Sequence, residues 1–123
     1  MTQPALINAI AAAIARMEGF FKAGSIAQRN HNPGNLRSWG KMPIVGGYAQ
    51  FATDEDGWRA LRRQVQKNIE RGLNLYEFFG GKKKVYAGYA PAADQNHPKQ
   101  YAEFVARQVG IAADVPLNEV IET

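Results

Sequence analysis

One acid in the first half of the chain is placed where proton-transfer chemistry would want it. Glu18 falls within ARMEGFFK, and no other carboxylate occurs before Asp54. Apolar residues Leu6, Ile7, Ile10, Ile14, Met17 and Phe21 recur at spacings of one, three and four, the period of an amphipathic or nearly buried helix. The helix is expected to end between Phe20 and Ala23, with Gly24 as its stop. Glu18 then sits in the last turn or two, where the helix dipole is negative. That position, with apolar Phe20 and Phe21 beside it, raises a carboxyl pKa. A raised pKa is what a general acid working near neutral pH requires. The bland alternative is a surface acid paired with Lys22 at i+4. The isolation of Glu18 among apolar residues favours the acid.

A dense cluster of turn formers follows, Asn30-His31-Asn32-Pro33-Gly34-Asn35, leading into Leu36-Arg37. Asn32, Asn35 and Arg37 have the donors and acceptors to hold hydroxyl and acetamido groups. Both asparagines are equally well explained as builders of the turn. Tyr48, Gln50, Tyr86 and Tyr89 could line a groove, rings against sugar faces and hydroxyls outward, and core packing accounts for any single tyrosine as well. Asp54, Glu55 and Asp56 are the nearest candidates for a second catalytic carboxylate, but acids there complement a helix N-terminus. His31 and His97 are too few and too far apart for a metal site or a serine–histidine relay. No glycine-rich phosphate loop follows a strand. No metal and no cofactor is implied.

The elements that must position these groups are mostly helices. Ser25 to Arg29 reads as a short helical turn. Leu36 to Trp39 and Tyr48 to Phe51 read as two short strands, with Gly40 to Gly47 the loop of an irregular hairpin. Thr53 with three acids starts a helix whose buried stripe is Trp58, Leu61, Val65 and Ile69, closed by Gly72. Asn74 caps a short helix through Phe79, stopped by Gly80-Gly81. Lys82 to Gln95 is mostly loop. Asn96 is expected to cap a helix with Pro98 in its first turn, Tyr101, Phe104, Val105 and Val109 inward and Gly110 at its end. A last short helix spans Leu117 to Ile121. The sum is an α+β, mainly α, arrangement, with one small early hairpin beside a cleft.

The 123 residues make one domain, 1–123, the default. There is no cysteine, hence no disulfide framework or thiolate metal site. No stretch approaches the ~20 apolar residues a membrane span needs, so stable membrane insertion is not expected. The apolar N-terminus lacks a basic leader, and Arg16 falls where a cleavage site would follow, so it does not read as a secretion signal. The net charge of +4 favours a polyanion, yet the only dense basic run is Lys82-Lys83-Lys84. A nucleic-acid role has nothing but that charge behind it and is not expected.

Taken together, MEGF, RNHNPGNLR, YAQFATDEDGWRAL and GYAPAADQNHPKQYAEFVARQVGI resemble the phage and bacterial members of the lysozyme-like superfamily, small peptidoglycan-cleaving domains related to lytic transglycosylases. The resemblance runs from about Ile14 to Ile111. It implies a lysozyme-like fold, Glu18 as the catalytic acid, a cleft for alternating N-acetylated sugars, and Tyr89 facing that cleft. Where soluble transglycosylases follow the acid with a Gly-Leu-Met-Gln type motif, this chain has NPGNLR. The implied activity is cleavage of peptidoglycan glycan strands as a lytic transglycosylase. A hydrolytic muramidase with a second carboxylate, or a non-catalytic wall-binding or virion domain, are the alternatives. Synthesis in a host cytoplasm and delivery to the wall or periplasm by a phage particle or a holin would fit a chain with no secretion signal.

Overall fold

The computed structural model describes residues 1–90 and 96–122. Its architecture is α+β and mainly helical, with one small antiparallel hairpin. In order the elements are α1 (Gln3–Met17), α2 (Ile26–Arg29), β1 (Ile44–Val45), β2 (Tyr48–Ala49), α3 (Asp54–Glu70), α4 (Leu75–Gly80), α5 (Pro98–Val109) and a 3-10 turn, Leu117–Glu119. Among the described residues no helix is long and apolar enough to cross a membrane. The chain forms two compact units, one of Ala11–Val65 and one of Met1–Ile10 with Gln66–Thr123.

In the unit of Ala11–Val65, α1 ends earlier than its apolar period suggests. Gly19 takes a left-handed conformation, φ 75°. Its N–H donates to Arg16 O at 3.2 Å, and the Phe20 N–H donates to Ala15 O at 3.0 Å. That pair of bonds is a Schellman stop, with Glu18 as the C-cap residue. Phe20 then turns inward onto Ala15 and Ala27, while Phe21, expected on the buried stripe, is 61% exposed. Trp58, expected as core, is half-buried and packs edge-on against Phe20 at 5.5 Å between ring centroids. Ser25 caps α2 by accepting from the Gln28 N–H.

The hairpin also differs from its expected form. Leu36–Trp39 is not a strand; the ladder pairs Ile44 with Ala49 and Val45 with Tyr48. The turn between them is Gly46-Gly47, both at positive φ (64° and 88°), the two-residue geometry that matches strand twist and that glycine supplies without strain. Leu36 still touches β2, because Ala49 N donates to Leu36 O at 2.9 Å. Thr53 Oγ1 accepts from Asp56 N and starts α3 as expected.

The other unit is built on α4 packed against α5. Asn74 and Glu77 form a reciprocal capping box at the start of α4. Leu6, Ile10, Ile69, Leu73, Leu75, Phe78, Phe79, Val105 and Leu117 are buried. The chain after α4 runs back along that helix: Tyr89 N and Ala90 N donate to Phe78 O and Phe79 O. A β-carbon on Gly88 would come within 2.8 Å of Phe79 O, so this return path needs glycine. The N-cap of α5 is His97 rather than Asn96, with no side-chain hydrogen bond, and Pro98 opens the first turn. Gly110 ends α5 in the left-handed region, φ 83°. Of the expected inward residues of α5, Val105 is buried and Tyr101, Phe104 and Val109 are half-buried. The final helix shortens to the 3-10 turn. The stretch Pro91-Ala92-Ala93-Asp94-Gln95, which carries most of YAPAADQN, lies outside the described residues.

Candidate functional site

The Schellman stop leaves Glu18 just past the last turn of α1, half-buried, within the unit of Ala11–Val65. Burial pushes its carboxyl above the ordinary range, while a hydrogen bond from Asn35 and the charge of Arg37 pull part of the way back. Asn35 Nδ2 donates to Glu18 Oε2 at 3.2 Å. Two of the expected site residues thus meet the acid directly or through its field. Arg37 in turn lies over the ring of Tyr48, 5.3 Å from its centroid, a cation–π distance. Glu18, Asn35, Arg37 and Tyr48 therefore form one linked group.

Asn32 plays a different part. Its side chain is fully buried. Its Nδ2 donates to Leu36 O at 3.0 Å and Ala49 O at 2.8 Å, and its Oδ1 accepts from Leu36 N at 3.0 Å. The amide acts as a short length of strand between Leu36 and β2. It is engaged by main chain on every side, so it builds the turn and has nothing left for a ligand. Pro33 and Gly34 complete that turn, closed by Asn35 N to Asn32 O at 3.0 Å. Asn35 emerges from it at φ 47°, a left-handed conformation that asparagine tolerates better than most residues. This backbone setting aims its amide at Glu18. Its Oδ1 is buried and has no hydrogen-bond partner among the described residues.

Gln50 sits apart from that group. It lines a separate hollow of about 300 Å³ with Ile26, Arg29, Asn30, Val45 and Gly46. Tyr89 belongs to the other unit, where its ring packs against Phe78 and Phe79 at 5.7 and 5.8 Å. Tyr86 lies there too, beneath Arg71 at 4.9 Å. Burial raises its phenol pKa, while the nearby Asn68 amide and the Arg71 charge pull it part of the way back.

The candidate second carboxylates are all engaged. His31 Nδ1 and Asp54 Oδ1 are 2.8 Å apart, Asp56 is 3.3 Å from Arg59, and Glu55 is 3.3 Å from Arg62. Two structural roles went unread in the sequence. His31 ties the turn to the start of α3, at φ 52°. Asn30, buried, donates through Nδ2 to Val45 O at 2.9 Å and anchors the hairpin. Asn30 gave the same turn-forming signal as its neighbours, and nothing in the local pattern separates an anchoring asparagine from a binding one. Among the described residues no three His, Asp or Glu side chains gather as a metal site would need. No family model, no curated protein and no solved structure matches this chain.

Proposed function

We propose that the chain is a lysozyme-like peptidoglycan lytic transglycosylase with Glu18 as its single catalytic acid and base. The observation that carries this reading is the carboxyl of Glu18: half-buried, its pKa raised by that burial, and held by a side-chain amide rather than by a second acid. A carboxyl in such a setting keeps its proton to a higher pH and can deliver it.

In the proposed reaction Glu18, protonated, donates to the glycosidic oxygen between the muramic acid C1 and the glucosamine O4. The C1–O4 bond breaks and the glucosamine leaves with a new 4-hydroxyl. Glu18, now a carboxylate, takes the proton from the muramic acid 6-hydroxyl, and O6 bonds to C1 to close an anhydro ring. The acid ends as it began, and no water is consumed. One carboxylate suffices because the nucleophile belongs to the substrate and is held close. Asn35 orients the carboxyl through its Nδ2 donor. Arg37 and Tyr48 give one wall of the sugar site, the ring suited to a pyranose face. Tyr89 enters the proposal only through the resemblance. Delivery to the wall by a phage particle or a holin completes it, with glycan strands as partner and no cofactor.

A hydrolytic muramidase would need a second carboxylate to activate water, and Asp54, Glu55 and Asp56 each have a cationic or histidine partner. The test is digestion of purified cell wall followed by mass analysis of the products. Anhydro ends, lighter than hydrolytic ends by one water, are expected from wild type and should vanish with Glu18→Gln. New reducing ends would replace this mechanism with hydrolysis. Equal lysis by Glu18→Gln and wild type would remove the acid role altogether.

A further inference from the structure

The hairpin of the unit Ala11–Val65 is apolar where its own fold does not require it. Ile44 and Val45 are consecutive strand residues, so their side chains leave opposite faces, and both are exposed, 54% and 43%. Met42, two residues earlier, is 39% exposed. Residues 40–47 are all exposed. The hairpin is held by main chain and by Asn30. The ladder joins Ile44 to Ala49 and Val45 to Tyr48, Gln50 N donates to Pro43 O at 2.8 Å, and Asn30 Nδ2 donates to Val45 O. Polar side chains would close the same hairpin. Single apolar residues on a surface are ordinary, but three gathered on a strand without a buried face make a patch.

The charge around the patch has one sign. Between Glu18 and Asp54 the chain carries Lys22, Arg29, Arg37 and Lys41 and no acid. Lys41 adjoins Met42, and Arg29 borders the hollow that Val45 and Gly46 line. On its α3 side Met42 shares a hollow under Trp39 with Asp56, Arg59 and Arg63. Arg59 meets Asp56 there at 3.3 Å, so that side too is positive on balance.

We propose that this hairpin is a peripheral contact with an anionic lipid surface: Met42, Ile44 and Val45 enter the interfacial layer while Lys41 and Arg29 meet the headgroups. It lies on the bilayer and spans nothing. The apolar tip calls for hydrocarbon and the basic rim for negative charge, and an anionic bilayer offers both. A second copy of the chain offers apolar surface but sets its own cations against these. A nucleic-acid strand offers the charge, yet aliphatic side chains give its bases no ring to stack on. A specific protein partner takes about 800 Å² from each side, more than a two-residue strand and its flank supply. The contact does not use Glu18 and is independent of the proposed function.

Co-sedimentation of the full chain with lipid vesicles tests this. Vesicles of phosphatidylcholine with phosphatidylglycerol should bind the protein, vesicles of phosphatidylcholine alone should not, and added salt should release it. Ile44→Ser with Val45→Ser should weaken binding at least about tenfold, and Lys41→Gln about fivefold. Both strand residues are exposed, so the double variant is expected to fold, with an unchanged melting temperature as the check. Val45→Thr, which keeps the β-branched shape, is the milder form and should still weaken binding severalfold. Full binding by the folded serine variant overturns the inference, because charge such as the Lys82-Lys83-Lys84 run then suffices. No binding to the anionic vesicles at low salt overturns it, and so does equal binding to both vesicle types. A concentration-dependent dimer of wild type that the serine variant loses assigns the hairpin to a second copy and overturns it as well. Vesicles carry no glycan, so vesicle binding by a protein that cuts no wall upholds the contact while the cleavage reading falls.

Discussion

Gly57 lies in the first turns of α3, and its substitution by alanine sets two magnitudes against each other. In an open helix the change stabilises by about 1 kcal/mol, because alanine has the better helix propensity. Here a β-carbon would overlap the His31 carbonyl oxygen and stand 2.8 Å from Pro33 Cδ and 3.0 Å from His31 C. The obstacle is main chain and a proline ring, neither of which can swing aside. Overpacking of this kind costs about 1–3 kcal/mol. Displacing the turn also strains the Asn32 bracket, where each buried polar group left unpaired costs a further ~1–3 kcal/mol. The clash therefore wins, and Gly57→Ala is expected to lose roughly 2–4 kcal/mol net. With about 4 °C per kcal/mol for a chain of this size, the melting temperature should fall by roughly 8–16 °C. Gly80→Ala is the control: its β-carbon would meet Pro98 Cβ at an ordinary 3.5 Å, so it should be neutral or slightly stabilising. Urea denaturation of both variants decides the matter. Because the displaced turn also carries Asn35, wall lysis by Gly57→Ala well below its melting temperature should drop as well. If Gly57→Ala is as stable as Gly80→Ala, the close seating of α3 on the NPG turn is wrong, and with it the account of how Asn35 is held.

Three further variants test the site. Glu18→Gln should reduce wall cleavage by roughly 10²–10⁴-fold, the usual contribution of a general acid, measured as release of soluble muropeptides. Its stability should also differ in a set direction. Folded Glu18 keeps its proton at pH values where the unfolded chain has lost it, so wild type loses stability as pH rises from the ordinary carboxyl range through the raised folded value. Glu18→Gln lacks that loss and should gain on wild type across this window; an opposite trend in urea melts would show the carboxyl is not strained by burial. Asn35→Gly removes the amide while suiting φ 47°. With that hydrogen bond gone, the Glu18 pKa should rise further and the alkaline limb of the lysis profile should move to higher pH; a move to lower pH would contradict the pairing. Asn32→Leu should cost on the order of 3 kcal/mol by stripping partners from Leu36 and Ala49, and a change below about 0.5 kcal/mol, the range of neutral surface substitutions, would make Asn32 dispensable to the turn.

Local signals wrote much of the fold into the sequence. Thr53 with its acids, Asn74 with Glu77, and Gly110 each start or stop a helix as their chemistry demands. Competition between like signals hid the rest. Gly24 is the expected stop of α1, but Gly19 ends it first, and both have positive φ. The nearer one prevails because stopping there buries Phe20 against Ala15 and Ala27, a tertiary gain invisible to a pattern that counted Phe21 inward. The hairpin was misplaced for a related reason. Leu36 does bond to Ala49, but through a single main-chain bond and the side chain of Asn32 rather than a ladder. The true partner strand, Ile44–Val45, is exposed on both residues and so has no alternation to read. His31 with Asp54, and the hollow under Trp39, join residues more than ten positions apart, which no local window can see.

Two asparagines three residues apart divide one task. Asn32 is enclosed, with donors and acceptor all on main chain, and so fixes where the turn points. Asn35, at the turn's exit, puts its N–H on Glu18 and leaves its oxygen unpaired. Exchanging their roles is impossible: the first has no free atom for a ligand, and the second has no bond that holds the turn beyond its own N–H. The same division extends to charge. Asp54, Glu55 and Asp56 sit with His31, Arg62 and Arg59, and among the described residues the cation whose charge bears on Glu18 is Arg37, itself braced on Tyr48. In the proposed reaction one carboxyl must first give a proton and then recover one. Burial alone would make it a poor base, and full ion pairing a poor acid. A carboxyl raised by burial and partly restrained by an amide and a nearby guanidinium lies between those extremes, which is where a single group acting in both directions has to be.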